Sequence, residues 1–230
     1  MTPSSQDAAG AGSESWRFVA PFATFVVLLG LSHSADLSPQ VAYPARVAAA
    51  ALVFCWCSRQ LITWKPARPR SSLLAGVAVF VVWIAPDLVW PGYRDLWFFR
   101  NPLAGAARST LPDSLRRDLA FLLFRAGGSV LLVPVVEELF WRAWLMRLLI
   151  SRRFARIPLG TYGARAFWLT AALFALEHGP YWDVGLAAGL AYNGWLVRTR
   201  NLADCILAHA VTNGCLGAYV LCAGAWEYWL

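Results

Sequence analysis

A chain of 230 residues in which 59% are hydrophobic and only 14% charged is too apolar for a water-soluble domain, and several of its apolar runs are long enough to cross a hydrocarbon core. The net charge of +7 comes from basic residues placed between those runs, where they set membrane orientation, which excludes a nucleic-acid-binding reading. The five cysteines are odd in number and lie in apolar segments, so they are read as packing residues and not as a disulfide framework or metal knuckle. The composition therefore predicts an all-α fold, a polytopic transmembrane helix bundle of about seven to eight spans.

Residues 1–15 are small, polar and not basic, unlike a cleavable signal peptide, and are expected to be a disordered tail. Residues 16–230 are expected to form one membrane domain without internal repeats. Apolar runs cover 16–32, 41–57 and 72–90, the second followed by Arg59, Lys65, Arg68 and Arg70. Residues 91–118 mix both charge signs with Pro91-Gly92, Asn101-Pro102 and Leu111-Pro112, a pattern expected of a loop carrying a short amphipathic helix. The chain is then apolar from 119 to 150, long for a single crossing, and is interrupted by Gly127-Gly128 and Pro134. Further runs at 166–177, 184–197 and 202–222 lead to an aromatic W-E-Y-W-L end suited to the interface. Basic residues cluster at 59–70, 147–165 and 198–200, which alternate correctly if all three loops and the N-terminus are cytoplasmic.

The residues able to do chemistry lie in a core of about 119–222. Residues 133–147 read V-P-V-V-E-E-L-F-W-R-A-W-L-M-R, with Glu137, Glu138 and Arg142 in an almost wholly apolar setting. Ionisable groups at membrane depth are costly and mark a functional site by default. Glu138 and Arg142, four apart, share a helical face and can pair. Glu137 points about 100° away and has no partner in its own helix. The alternative is a buried structural ion-pair cluster.

Two of the three histidines have company: F-A-L-E-H ends at His178, beside a Gly-Pro stop, and L-A-H-A-V-T-N-G carries His209 and Asn213 four apart on one face. A lone bundle histidine is more often a satisfied core residue than a catalyst, but two with an amide and an unpaired glutamate suit water-driven acyl cleavage. A glutamate held away from bulk water is a competent general base. A neutral imidazole can orient the water. His209 and the Asn213 amide can donate to the developing oxyanion, each such donor being worth about 3–4 kcal/mol. G-x-S-x-G, H-E-x-x-H, G-x-x-x-x-G-K and G-x-G-x-x-G are absent, which removes serine-hydrolase, zincin and nucleotide-binding readings. Glutamate with two histidines also suits zinc, but adjacent glutamates are not spaced as E-x-x-H and Arg142 would sit near the ion, so no metal and no cofactor is expected. Counting from span ends puts Glu137 and His178 toward the outer half and His209 about seven residues, nearly 10 Å, in from the inner side, which still allows these groups to meet near mid-membrane.

These motifs resemble the CPBP family, the type II CAAX prenyl endopeptidases and their bacterial relatives. The family pattern E-E-x-x-x-R, F-x-x-x-H, H-x-x-x-N is present in order as Glu137-Glu138-x-x-x-Arg142, Phe174-x-x-x-His178 and His209-x-x-x-Asn213. The resemblance implies a glutamate-type intramembrane protease without a cofactor. Glu137 would activate the water and His178 help position it. His209 and Asn213 would form the oxyanion hole, with Glu138 and Arg142 supporting. V-V-E-E-L-F-W-R, G-L-A-A-G-L-A-Y-N-G-W-L-V-R and W-E-Y-W are similar to the bacterial CAAX prenyl protease-related branch found beside exosortase and PEP-CTERM sorting systems. That branch implies a bacterial inner membrane and, as partner, a membrane-anchored substrate with a C-terminal hydrophobic tail. The other classes left open are a metal-dependent membrane hydrolase and a non-proteolytic transporter or accessory protein using Glu137 in a proton relay.

Overall fold

The computed structural model describes residues 5–99, 107, 109 and 111–229, with side chains from residue 14 onward. Among the described residues there are seven principal helices and no strand: α1 Ser5–Ser34, α2 Pro39–Leu61, α3 Pro69–Val89, α4 Leu119–Leu148, α5 Ala164–Glu177, α6 Trp182–Thr199 and α7 Leu202–Ala223. They follow the seven apolar runs, and the long 119–150 stretch is one helix and not two. Five of them, α1 to α4 and α7, are long and apolar enough to cross a membrane. The remaining two, α5 with 14 residues and α6 with 18, fill the bundle beside them. Helix α1 begins at Ser5, inside the stretch expected to be a disordered tail, whose residues 1–4 lie outside the described ones.

Local chemistry sets the helix ends. Prolines open α2 and α3, where the missing N–H would be unsatisfied in any case. Asp118 caps α4 by accepting from the Phe121 N–H at 3.1 Å. Gly224, at φ 69°, ends α7 in the left-handed conformation glycine tolerates best. Inside α4 the backbone widens into π-helical turns at Gly128–Leu132 and Leu139–Leu145, on either side of Pro134. Proline has no N–H for the carbonyl four residues back, and its ring crowds that carbonyl, so a wide turn before it is the local solution.

The tightest seam joins α3 to α7. A Cβ built on Gly76 would lie 2.3 Å from the Ala208 carbonyl oxygen and 2.7 Å from the Val211 Cβ, so only glycine allows this approach. The Thr212 hydroxyl lies 2.9 Å from the Gly76 carbonyl across the same seam. At its end the buried Asp204 accepts from the backbone N–H groups of Ala67 and Arg68 and from the Ser72 hydroxyl, at 3.1, 2.9 and 2.9 Å. One carboxylate thereby ties the start of α7 to the start of α3.

The short amphipathic helix expected in 91–118 falls partly on residues 100–106, 108 and 110, which lie outside the described set; the described residues of this loop hold single 3-10 turns at Tyr93–Asp95 and Leu115–Arg117. Gly92, at φ 84°, turns the chain sharply after α3. Arg94 then fixes the loop, donating to Asp87 at 3.1 Å and to the Pro180 carbonyl at 3.0 Å and pairing with Asp183. Tyr93 donates to Asp183 at 3.1 Å and Tyr228 to Asp87 at 2.8 Å. Loop, α5–α6 turn and C-terminal tail are thus drawn across one end of the bundle.

Placing a methyl group in the α3–α7 seam forces those helices apart. Gly76→Ala is expected to cost about 1–3 kcal/mol through overpacking, read as a lowered thermal midpoint of the purified protein in detergent. Gly30→Ala, a position with nothing within 4 Å of an added Cβ, is the control expected to show no such loss.

Candidate active site

At the centre of the bundle one carboxylate holds two basic groups. Glu138 Oε1 lies 3.2 Å from Arg142 Nη1 and 2.9 Å from His209 Nδ1. The side chains of Glu138 and Arg142 are fully buried. The i,i+4 pair expected within α4 is therefore present, and α7 adds a third member. Arg142 Nε also donates to Asn193 Oδ1 on α6 at 3.2 Å, and Asn193 Nδ2 donates to the Phe167 carbonyl on α5 at 2.8 Å. The guanidinium stacks 4.3 Å from the Phe174 ring centre and 5.3 Å from that of Tyr192. Buried charge is tolerable only when paired and hydrogen-bonded, and four helices contribute here.

Glu137, the next residue, has no such company. Its side chain turns from this cluster into a cavity of about 410 Å³, and its Oε2 has no hydrogen-bond partner among the described residues. His178, His209 and Asn213 line the same cavity, with Trp83, Phe174 and Tyr192 among its aromatic walls. The four side chains singled out in the sequence thus converge from α4, the end of α5 and α7. Glu138 and Arg142 stand behind the wall, outside the lining. Glu137 and His209, counted in from opposite sides, line the same cavity. A 30-residue helix such as α4 is about 45 Å long against about 30 Å of hydrocarbon, so residue counts from its end do not report depth.

Each ring and amide is oriented by a second contact. His178 Nδ1 lies 2.8 Å from the Phe174 carbonyl, which can only accept, so the proton sits on Nδ1 and Nε2 is left as an acceptor. An added Cβ on Gly185 of α6 would lie 3.2 Å from the His178 Cβ and Cγ, so that glycine gives the imidazole its room. His209 stacks on Tyr192, ring centres 4.9 Å apart at 22°, and the Tyr192 hydroxyl donates to Thr212 at 2.8 Å. Asn213 Nδ2 donates to the Ser129 carbonyl at 2.9 Å, inside the first wide turn of α4. That leaves one amide N–H of Asn213 uncommitted.

Three participants escaped the sequence reading. Glu177 lines the cavity as a further carboxylate and accepts from Trp141 Nε1 at 3.1 Å. Its signal was its place beside His178 in F-A-L-E-H. Asn193 and Tyr192 complete the Arg142 environment from α6, where the adjacent Tyr-Asn pair in an apolar run was the only cue. Among the described residues no three His, Cys, Asp or Glu side chains are grouped to hold a metal ion.

Residues 119–215 match the family model described as type II CAAX prenyl endopeptidase Rce1-like. This segment is Rce1-like. No curated protein and no solved structure matches the chain. The matched segment runs from the start of α4 to just past Asn213 and contains all three motifs. Helices α1 to α3 precede it, yet Phe25, Tyr43 and Trp83 from them wall the same cavity as the Rce1-like motifs.

Breaking the buried cluster should be expensive. Arg142→Met removes the cation and leaves Glu138 with His209 alone, and is expected to lower stability by about 3–5 kcal/mol, the usual cost of stranding one partner of a buried pair. Chemical denaturation followed by tryptophan fluorescence measures it.

Proposed function

We propose that this protein is an intramembrane endopeptidase in which Glu137 activates the hydrolytic water. The reading is supported above all by one observation: Glu137 lines the same cavity as His178, His209 and Asn213, while its neighbour Glu138 is paired with Arg142 and His209 outside that lining. A water in that cavity has two acceptors for its protons, the Glu137 carboxylate and His178 Nε2. Held by both, it keeps a lone pair for the scissile carbonyl. As the C–O bond forms, Glu137 takes the proton, and the carbonyl electrons move to oxygen. The oxyanion accepts from the uncommitted Asn213 N–H and from His209. Glu138 fixes the orientation of the His209 ring through Nδ1, and its charge offsets the second proton the ring needs in order to donate from Nε2. Glu137 then returns its proton to the departing amine, so one peptide bond and one water become a carboxylate-bearing and an amine-bearing product.

A peptide bond in a membrane helix is shielded by its own hydrogen bonds, so the substrate segment must be unwound or extended at the cut. We infer a membrane-anchored protein cut near a C-terminal hydrophobic sorting tail, in a bacterial inner membrane with the N-terminus cytoplasmic. The basic loops at 59–70, 147–165 and 198–200 support that orientation.

Tail removal from a co-expressed substrate tests the assignment. Glu137→Gln is expected to lower cleavage by about 10²–10⁴-fold, the range for a lost general base, and Asn213→Ala by about 10²–10³-fold, the range for a lost oxyanion donor, with both variants still folded. Wild-type cleavage by Glu137→Gln would remove this residue from the mechanism. Activity abolished by chelation, with stoichiometric metal in the purified protein, would replace it with a metal-dependent hydrolase.

A further inference from the structure

At the other end of α3 from Arg94, three basic segments are drawn into one face. Residues 59–70 lead from α2 into α3, 151–165 from α4 into α5, and 198–201 from α6 into α7. The Asn201 amide donates to the Lys65 carbonyl at 3.0 Å, and Asp204 accepts from the N–H groups of Ala67 and Arg68. On the same turn, a Cβ built on Gly160 would lie 2.5 Å from the Leu196 carbonyl oxygen and 2.9 Å from Arg200 Cγ, so the second segment packs directly against the end of α6. The first segment holds four exposed Lys or Arg side chains, the second three and the third two, and none of the three contains an Asp or Glu. Asp204, the first carboxylate beyond them on α7, is buried and spent on backbone and hydroxyl donors. Like charges gathered in this way repel one another.

The backbone gives a second, independent sign. Arg200 holds φ 52°, in the left-handed region that favours glycine at a helix end, yet it carries an exposed guanidinium there. Among the described non-glycine residues only Asp36 shares that region, and a short polar side chain such as its own tolerates it. A long cation kept at a strained position points to a use for the cation. The rim of the face is aromatic: Trp64 beside Lys65, Tyr162, and Trp168 one turn past Arg165 are all exposed. Such rings settle at the level of lipid headgroups.

We propose that this face, centred on Lys65, Arg68 and Arg200, binds the headgroup of an anionic phospholipid from the surrounding leaflet. A phosphate accepts two guanidinium N–H groups side by side and takes a point charge from lysine, so the three side chains supply complementary donors. The lipid's acyl chains lie along the first turns of α3, where Leu73, Leu74 and Val77 are exposed directly after the cations. An acidic protein or a nucleic acid would gain nothing from that apolar strip or from the aromatic rim. A headgroup bridging Arg68 and Arg200 ties the start of α3 to the α6–α7 turn. Its binding does not depend on the endopeptidase reading.

The test places the full-length protein in nanodiscs of equal parts phosphatidylglycerol and phosphatidylcholine and counts the lipids it retains by native mass spectrometry. Phosphatidylglycerol is expected to be retained about tenfold over phosphatidylcholine, a preference that shrinks in high salt. Arg200→Gly removes the cation and relieves the backbone. It is therefore expected to keep or raise the thermal midpoint in pure phosphatidylcholine while lowering the preference about fivefold, the share of one basic residue at an anionic surface. Arg68→Gln is expected to lower the preference similarly. Arg117→Gln, an equal loss of exposed charge beside the other end of α4, is expected to leave it unchanged. Equal retention of the two lipids overturns the proposal. So does a preference lowered as much by Arg117→Gln, which would reflect net charge alone, or one abolished by excess inorganic phosphate, which would assign the site to the free ion. Binding of a polyglutamate peptide that requires Arg200, without any lipid preference, overturns it in favour of an acidic protein.

Discussion

The structure depends on one carboxylate shared by two basic groups in a medium that tolerates no loose charge. Glu138 accepts from Arg142 within its own helix and from His209 on α7. Arg142 reaches on to Asn193, and through it to the backbone of α5. None of these contacts would matter much in water, where an exposed ion pair contributes little. Inside an apolar bundle an unmet guanidinium or carboxylate is costly enough to dictate which helices pack together and in what rotation. The cluster is in that sense the register mark of the fold. It also distinguishes two adjacent acids, since Glu138 is paired with Arg142 and His209 behind the wall while Glu137 lines the cavity.

The same logic extends outward. His178 is held by the carbonyl of its own helix and given room by Gly185, and Asn213 is held by the carbonyl of Ser129. Each group proposed to act on a substrate is thus placed by a residue that need not touch one. At the far end of the bundle Arg94 does comparable work for the loops, gathering Asp87, Asp183 and the Pro180 carbonyl.

Much of this was legible in the sequence, and what was not has a physical reason. The i,i+4 pairing of Glu138 with Arg142 and the shared face of His209 and Asn213 are properties of a helix alone, readable from spacing. The apolar runs foretold all seven helices because membrane helices satisfy their backbone internally, whatever their neighbours do. Contacts between elements left no periodic trace. Nothing in the order of residues says that Glu138 would also hold His209, that Glu177 would join the cavity, or that Tyr43 would lie between two arginines from different helices. The amphipathic helix expected in 91–118 falls partly on residues outside the described set. Among the described residues there, Tyr93 and Arg94 meet Asp87, Asp183 and the Pro180 carbonyl, contacts that helical periodicity does not foretell.

The wide turn at Gly128–Leu132 carries a consequence for phase. On a regular α-helix, residues twelve positions apart differ by about 120° around the axis at about 100° per residue, so Arg125 and Glu137 would look in different directions. A π-bulge absorbs one extra residue into a turn, which brings the offset between them down to about 20°. Both side chains do line one hollow. A single surplus residue in the backbone thus acts as an angular correction, and it is what allows the two charged ends of the cavity to be set by the same helix.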